Sequence, residues 1–438
     1  MNIRSLLAIL MLVSVTSIHS QNILTKEQAI TFALENNFGI KIAKNNVTIA
    51  ANDKGVLNTG YLPTVTGTAG ATFNRDNTEA EFLNGDVTTL NGATSSRYNA
   101  RVNVNYTLFD GLGRLYDYKR LKETHQLTEL QARQTIENTI FQLFTVYYNV
   151  AQLSENVNAL EETITITKDR LKRAEYQFEY GQSTKLAVLN AQVDINNDSI
   201  NLINQRQAYK NTKRDLNVVI GNVLDENTFD VNAEVNFLLQ LNKADLLTKM
   251  KANNVSLLQV NKNISISNYT LKSGTSAFLP TIGLTGSYGW NKNNNNAASF
   301  LTTSTNTGIS GGLNLTWNLF DGRAVNIYKN AKIALQNQEY EKQSLIQSIE
   351  RDFNNAWDDY QNKLTVYRVQ EDNIVTSKNN FDRTAERFKL GQATSIEFRQ
   401  AQLNLLNAEL SKIQAKFQAK IAELLVLQIS GELLNVDF

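Results

Sequence analysis

A chain of 438 residues with no cysteine, two prolines and two histidines cannot build a disulfide scaffold, a thiolate or iron–sulfur metal site, or a cysteine nucleophile. Lys+Arg 43 against Asp+Glu 42 leaves no basic field to attract nucleic acid, and lipoprotein anchoring fails for want of a cysteine after the leader. The length sets a prior of about three domains, and the scarcity of proline fits long uninterrupted helices.

Residues 1–20 have the three parts of a secretory signal peptide: Arg4, an apolar run from Leu6 to Val15, and then Thr16, Ser17 and Ser20, with cleavage expected after Ser20. No later apolar run approaches the ~18 residues of a spanning helix. The mature chain is therefore expected to be exported, either as a soluble protein or as an outer-membrane β-barrel. A helix is expected over 26–60, ending before Pro63 because the residue before proline disfavours helix. The period then changes from 3.6 to 2. From Tyr98 to Leu108 every second residue is apolar and the intervening ones are polar, and Val65, Ala69, Ala71 and Phe73 supply a partner strand. Strands of about ten residues cross an outer membrane at a tilt; the segment 74–97 between them reads as a solvated loop. A long helix comes next over 112–180, roughly 100 Å at 1.5 Å per residue. After a glycine turn comes a shorter helix over 184–219.

The same series then repeats. Tyr61-Leu62-Pro63-Thr64 returns as Phe278-Leu279-Pro280-Thr281, Leu108-Phe109-Asp110-Gly111 as Leu319-Phe320-Asp321-Gly322, and Tyr180-Gly181-Gln182 as Leu390-Gly391-Gln392. Ala191-Gln192 matches Ala401-Gln402, and Ile220-Gly221 matches Ser430-Gly431. Five landmarks in one order make an internal duplication. The second copy holds helices over 243–277, 323–390 and 394–429, strands after Pro280 and along Ile309 to Leu319, and a loop over 291–307. The domain reading is a signal peptide (1–20), a first repeat (21–221) with its strand pair at 64–108 and tip at 181–184, an inter-repeat segment (222–242), and a second repeat (243–438) with strands at 281–319 and tip at 391–394. Val150, Val157, Ile164, Leu171 and Phe178 recur every seven residues, with Leu153, Leu160, Thr167 and Ala174 between them, and the pattern resumes at Leu186, Leu189, Val193, Ile200 and Ile203. Each half thus reads as an antiparallel coiled-coil hairpin whose tip is the glycine turn. The economical arrangement sets the long helix beside two shorter ones stacked end to end.

These motifs, in this order and duplicated, resemble the TolC family of outer-membrane efflux proteins over essentially the whole mature chain. The resemblance rests on the corners at Pro63 and Pro280, the strand exits Asp110-Gly111 and Asp321-Gly322, and the tips from Phe178 to Thr184 and from Phe388 to Thr394. It implies an α+β membrane protein: a transmembrane β-barrel of four strands per chain and twelve per homotrimer, continuous with a helical coiled-coil barrel in the periplasm. The implied function is a passive exit duct in the bacterial outer membrane, with lipid around the barrel. A periplasmic adaptor (membrane fusion protein) would clamp the tips and an inner-membrane transporter would supply the energy. Gly181, Gln182, Ser183, Gly391, Gln392 and Thr394 are then the adaptor-docking candidates, although glycine would also be needed there simply for a tight turn. Glu397 stands at the first acidic position of the family's gate, but Gln400 stands at the second, so a double acidic ring is not preserved; a solvated flank is the other reading of Glu397. In the first half Ala187 occupies the place of an aspartate of some members, leaving the usual gate-locking bonds in doubt.

No cofactor or metal is expected, and no nucleic-acid partner. An enzyme would need a nucleophile with a base, a carboxylate pair or a metal cluster. The one histidine of the mature chain, His125, is expected at the surface of a long helix. The alternative reading is a periplasmic coiled-coil adaptor or scaffold without a barrel, but such proteins carry one hairpin where this chain carries two hairpins and four strands. The cargo is not written in the sequence.

Overall fold

The computed structural model describes residues 22–225, 229–238 and 241–436. The expected leader and its cleavage point lie outside the described residues. In chain order the elements are β1 (Asn22–Leu24), α1 (Lys26–Asn36), α2 (Phe38–Asp53), β2 (Thr64–Glu81), β3 (Val87–Asp110), α3 (Gly113–Glu179), α4 (Lys185–Val219), β4 (Phe229–Val231), α5 (Lys243–Asn253), α6 (Val255–Gly274), β5 (Thr281–Asn294), β6 (Thr303–Thr316), α7 (Gly322–Lys389) and α8 (Ser395–Ser430). The series helix pair, strand pair, long helix, shorter helix occurs twice, so the fold is a duplicated α+β one. Two compact units result: one of residues up to 46 with 130–258 and 344–438, the other of 47–129 and 259–343.

The second unit holds one antiparallel sheet in the order β2-β3-β5-β6. Its register keeps like with like: Val65 faces Val104, Ala71 faces Tyr98, Tyr106 faces Leu284, and Leu284 faces Leu313. One face is therefore mostly apolar across the four strands, with Lys292 beside Tyr98 at one end, and the other is Thr, Asn, Ser and Gly with Arg97 and Arg101 on β3. The expected ten-residue strands are too short. β2 has 18 residues and β3 has 24, so most of 74–97 belongs to the ladder and the turn shrinks to 82–86. Threonine explains this: Thr78, Thr88, Thr89 and Thr94 are as suited by β-branching to a pleated strand as by polarity to a loop. β5 and β6 likewise extend to 294 and back to 303, replacing most of the loop expected over 291–307. At roughly 3.3 Å per residue, β2 and β3 are about 60 and 80 Å long, well beyond the ~30 Å hydrocarbon core of a bilayer.

Strand exits double as helix starts. Asp110 Oδ2 accepts from the N–H of Arg114 at 2.9 Å, and Asp321 Oδ1 from the N–H of Arg323 at 2.9 Å, each satisfying a free donor in the first turn of a long helix. His125 is buried in this unit rather than exposed. Its Nδ1 lies 3.1 Å from Nζ of Lys54, the residue that follows α2.

In the first unit the helices expected over 26–60 and 243–277 are both broken, at Asn37 and Asn254. Each asparagine acts in two directions. Asn37 Oδ1 accepts from Ile40 N–H at 3.2 Å to cap α2, while its Nδ2 donates to Val219 O at the end of α4, 3.0 Å away. Asn254 Oδ1 accepts from Leu257 N–H at 3.2 Å, and its Nδ2 donates to Ile429 O of α8 at 2.9 Å. Gly221 and Gly431 close the same junctions at positive φ, and a Cβ there would stand 2.4 Å from Asn36 Cβ and 2.6 Å from Asn253 O. The shorter helices do meet end to end, and this is why Ile220-Gly221 and Ser430-Gly431 recur.

The inter-repeat segment is tied to this unit. β4 pairs in parallel with β1, Asn232 N–H donates to Tyr147 Oη at 3.0 Å, and Tyr147 Oη donates to Leu24 O at 2.7 Å. Burial pushes the Tyr147 hydroxyl up to about 12, so it stays a donor. Further along, Glu423 accepts from Leu238 N–H and pairs with Lys420 in the core. The heptad seam is shared between repeats rather than closed within each hairpin: Leu160 and Ile164 of α3, Leu202 of α4 and Leu406 of α8 form one cluster. Leu186, Leu189, Val193, Ile200 and Ile203, expected in the seam, lie instead on an exposed face of α4.

Candidate functional site: the helical tips and the strand face

Both tips reverse the chain with a left-handed glycine, φ +71° at Gly181 and +75° at Gly391. Around each, two backbone bonds satisfy the carbonyls of the ending helix. Gly181 N–H donates to Phe178 O and Gln182 N–H to Gln177 O; Gly391 N–H donates to Phe388 O and Gln392 N–H to Arg387 O. A Cβ at either glycine would meet nothing within 4 Å, so the dihedral alone demands glycine there. The space above both tips is open.

Past the glycines the two tips diverge. Thr184 precedes α4 without a side-chain cap bond. Thr394 and Glu397 form a full capping box: Glu397 N–H donates to Thr394 Oγ1 at 3.2 Å, and Thr394 N–H donates to Glu397 Oε2 at 2.7 Å. These bonds hold the Glu397 carboxyl below the usual glutamate range, so it stays ionised with its oxygens turned back onto the helix start. Gln400, one turn on, donates to Asn404 Oδ1 and is exposed. Gln182 is exposed and Ser183 half-buried. Phe398 stacks on Phe388 with centroids 4.8 Å apart and meets Phe381 at 5.6 Å, anchoring the second tip. A groove of about 780 Å³ runs between α3 and α7 behind the tips, walled by Arg170, Lys172, Arg173, Tyr176, Tyr180 and Gln182 on one side and by Phe381, Phe388 and Lys389 on the other. A second cavity, about 460 Å³, brings Thr184 of the first tip together with Thr394 and Gln400 of the second.

Beneath the tips lies a buried polar network that joins the two repeats. Arg399 of α8 donates through Nη1 and Nη2 to both oxygens of Asp198 on α4, at 2.8 and 2.6 Å. Thr167 Oγ1 of α3 donates to the same carboxylate at 2.8 Å, and Gln402 Nε2 donates to Thr167 Oγ1 at 3.0 Å. Arg170 pairs with Asp194 alongside. Thr167 is wholly buried, and Asp198 and Gln402 nearly so. By heptad spacing Thr167 belongs to the apolar seam, and nothing in the sequence marks Asp194, Asp198, Arg170 or Arg399 as its neighbours. The signal was a hydroxyl at a heptad core position, since such a group needs partners.

Pro63 and Pro280 stand immediately before the first residues of β2 and β5. At the first corner Arg114 pairs with Asp110 at 3.1 Å, donates to Gly60 O at 2.9 Å and covers the ring of Tyr61. At the second, Trp317 Nε1 donates to Phe278 O. Beyond the corners the apolar sheet face is exposed, with Ile309 at 85% and Leu313 at 73%. Among the described residues no helix is long and apolar enough to cross a membrane, and no group of three or more His, Cys, Asp or Glu could hold a metal ion.

The profile of the family described as "Outer membrane efflux protein" matches residues 29–222 and 246–432. Among curated proteins, the outer membrane efflux protein BepC of Brucella suis is 22% identical, over 98% of this chain and 91% of its own length. The outer membrane protein TolC of Vibrio cholerae is 20% identical, over 69% of this chain and 70% of its own. Among solved structures, the CmeC outer membrane channel of Campylobacter jejuni superposes with a TM-score of 0.77 at 18% identity, covering 93% of this chain and 86% of that one. Nothing in these likenesses favours a barrel-less adaptor.

Proposed function

The chain belongs to the outer membrane efflux protein family and is an outer-membrane efflux duct, and on that premise we propose that it works as a homotrimer clamped by a periplasmic adaptor beneath an inner-membrane transporter. The observation that carries the trimer is the sheet. Four strands cannot close a barrel, and β2 and β6 end the sheet with unpaired edges, whereas three copies supply twelve strands and no edge. The exposed stripe Leu186, Leu189, Val193, Ile200 and Ile203 gives the helical part a matching apolar surface for a neighbouring copy. The duct itself is passive: its residues position cargo and exclude lipid, and no catalytic step is assigned to them.

The docking role falls on Gly181, Gln182, Ser183, Gly391, Gln392 and Thr394. The open space above both glycines and the groove between α3 and α7 support it, since a helical hairpin of an adaptor could approach the tip backbone closely only where no side chain intervenes. Glu397 and Gln400 belong to the closing end of the tunnel, with one ionised ring from three Glu397 copies. Pro63 and Pro280 serve as the corners where the chain enters membrane strand; the helix before Pro63 ends at Asp53, short of the expected 60, and the one before Pro280 at Gly274. Residues 21–221 and 243–438 act as the two repeats, joined by 222–242. The deciding experiment is fractionation and crosslinking after expression in a Gram-negative host. A detergent-extracted trimer of the outer membrane that conducts in a planar bilayer is expected; mature protein released with the soluble periplasm would overturn the reading.

A further inference from the structure

Between the levels of Arg97 and Asn105 the polar face of the sheet carries charge of one sign only; Asp76, on the same face of β2, lies beyond Arg97. From the level of Arg97 to that of Asn105, the paired stretches of β2, β3, β5 and β6 contain no Asp or Glu on either face. On β3, Arg97 and Arg101 share the polar side with Asn99 and Asn103. The register puts Thr68 beside Arg101 on β2 and Gly289 beside it on β5, and Gly289 in turn faces Gly308 on β6. Arg101 is exposed, and no partner neutralises it among the described residues.

The glycines explain its posture. A Cβ on Gly289 would stand 3.2 Å from Arg101 Nε and 3.6 Å from its Cγ, and one on Gly308 would meet nothing. The arginine thus lies across β5 over a strip with no side chains, against the wall rather than upright in the opening. Arg97 is steadied differently, its Nε donating to Asn293 Oδ1 at 3.0 Å. The opposite face carries Val65, Val102, Val104, Leu284 and Leu313, with Lys292 toward one end; an unpaired guanidinium on a lipid-facing side costs about 2–4 kcal/mol near the bilayer midplane, so lipid takes the apolar face and the side bearing Arg101 is the water-filled one. Low-dielectric walls focus the field of like charges inside such a lumen.

We propose that Arg101, seated over Gly289 and backed by Arg97, makes the strand-built pore a filter for anions, favouring cargo that bears phosphate, carboxylate or sulfonate groups. The inference rests on the trimeric duct proposed above, in which each arginine occurs three times. The test uses the purified full-length trimer in a planar bilayer with inositol hexakisphosphate added on the side of the 82–86 turn. The anion is expected to block the current, and Arg101→Gln should raise the half-blocking concentration about tenfold and lower the anion-to-cation permeability ratio in a KCl gradient. Arg101→Lys should keep most of the block, and Arg97→Gln should weaken it less than Arg101→Gln. Block from the tip side should not change in Arg101→Gln. Trimers that conduct normally with the same block and permeability ratio in Arg101→Gln would overturn the filter and leave the duct standing. Trimers that conduct in no variant would overturn the duct, and the filter with it.

Discussion

The two tips share a backbone and differ in what holds it. Both turn on a left-handed glycine with the same pair of carbonyl caps, yet only the second has a capping box and a stacked aromatic cluster behind it. The first leaves Thr184 without a cap bond, with Tyr180 75% exposed. Duplication therefore preserved the geometry of the turn and not its stability. The Arg399–Asp198 pair ties α8 to α4 and so braces both tips alike; the contrast lies in the turns themselves, where the second has side-chain bonds that the first lacks.

The largest effect is expected for Asp198→Ala, which removes the acceptor shared by Arg399 and Thr167 and leaves Arg399 with Asp194 at 3.6 Å as its carboxylate partner. A loss of about 1–3 kcal/mol is expected, read as a lower thermal midpoint of the detergent trimer, while Asp198→Asn should lose less. Bulky substitution of both tip glycines comes next. Valine at Gly181 and Gly391 must hold a dihedral that costs about 1–2 kcal/mol per residue, and it fills the open space above both turns. Adaptor-dependent efflux should vanish while trimers persist; normal efflux in that double variant would refute the docking assignment.

Smaller effects sharpen the comparison. Thr394→Ala should cost about 1 kcal/mol, and Thr184→Ala close to nothing. Ala187→Glu would place a carboxylate at the third helical position after Thr184, recreating the box of the other tip, and should slow hydrogen exchange at the start of α4. The smallest effect is pH-dependent. Burial, reinforced by the Glu162 charge, raises the Glu409 carboxyl above its ordinary range. The folded chain then holds that proton at a pH where the unfolded chain has released it. Stability from this group is full below the ordinary glutamate pKa and is lost as pH rises through the raised value. Glu409→Gln should therefore raise the midpoint slightly at pH 7, by less than ~1 kcal/mol in stability, with the gain fading as the pH falls.

Much of the molecule was legible because its signals are local or periodic. Alternation from Tyr98 to Leu108 shows a two-sided strand without any partner in view, and a glycine between heptad runs shows a hairpin tip. Asn37 and Asn254 were illegible for the opposite reason. Each looks like an ordinary polar residue inside a helix, and the carbonyl that makes it a junction lies 182 or 175 residues away. The network of Arg399 and Asp198 spans 201 residues and hides in the same way. Strand length is not legible in this sequence because threonine serves loop and strand equally, and only the pairing partner decides. At the tips the glycines were found from sequence, but not that Glu397 turns its carboxylate back onto Thr394.

In the duct proposed above, the overlong β2–β3 hairpin is the end that would face outward from the cell. Its turn at Asn84-Gly85 closes on itself through Asn84 and Asp86, and nothing crowds Gly85. A short epitope spliced there would be within reach of an antibody on intact bacteria.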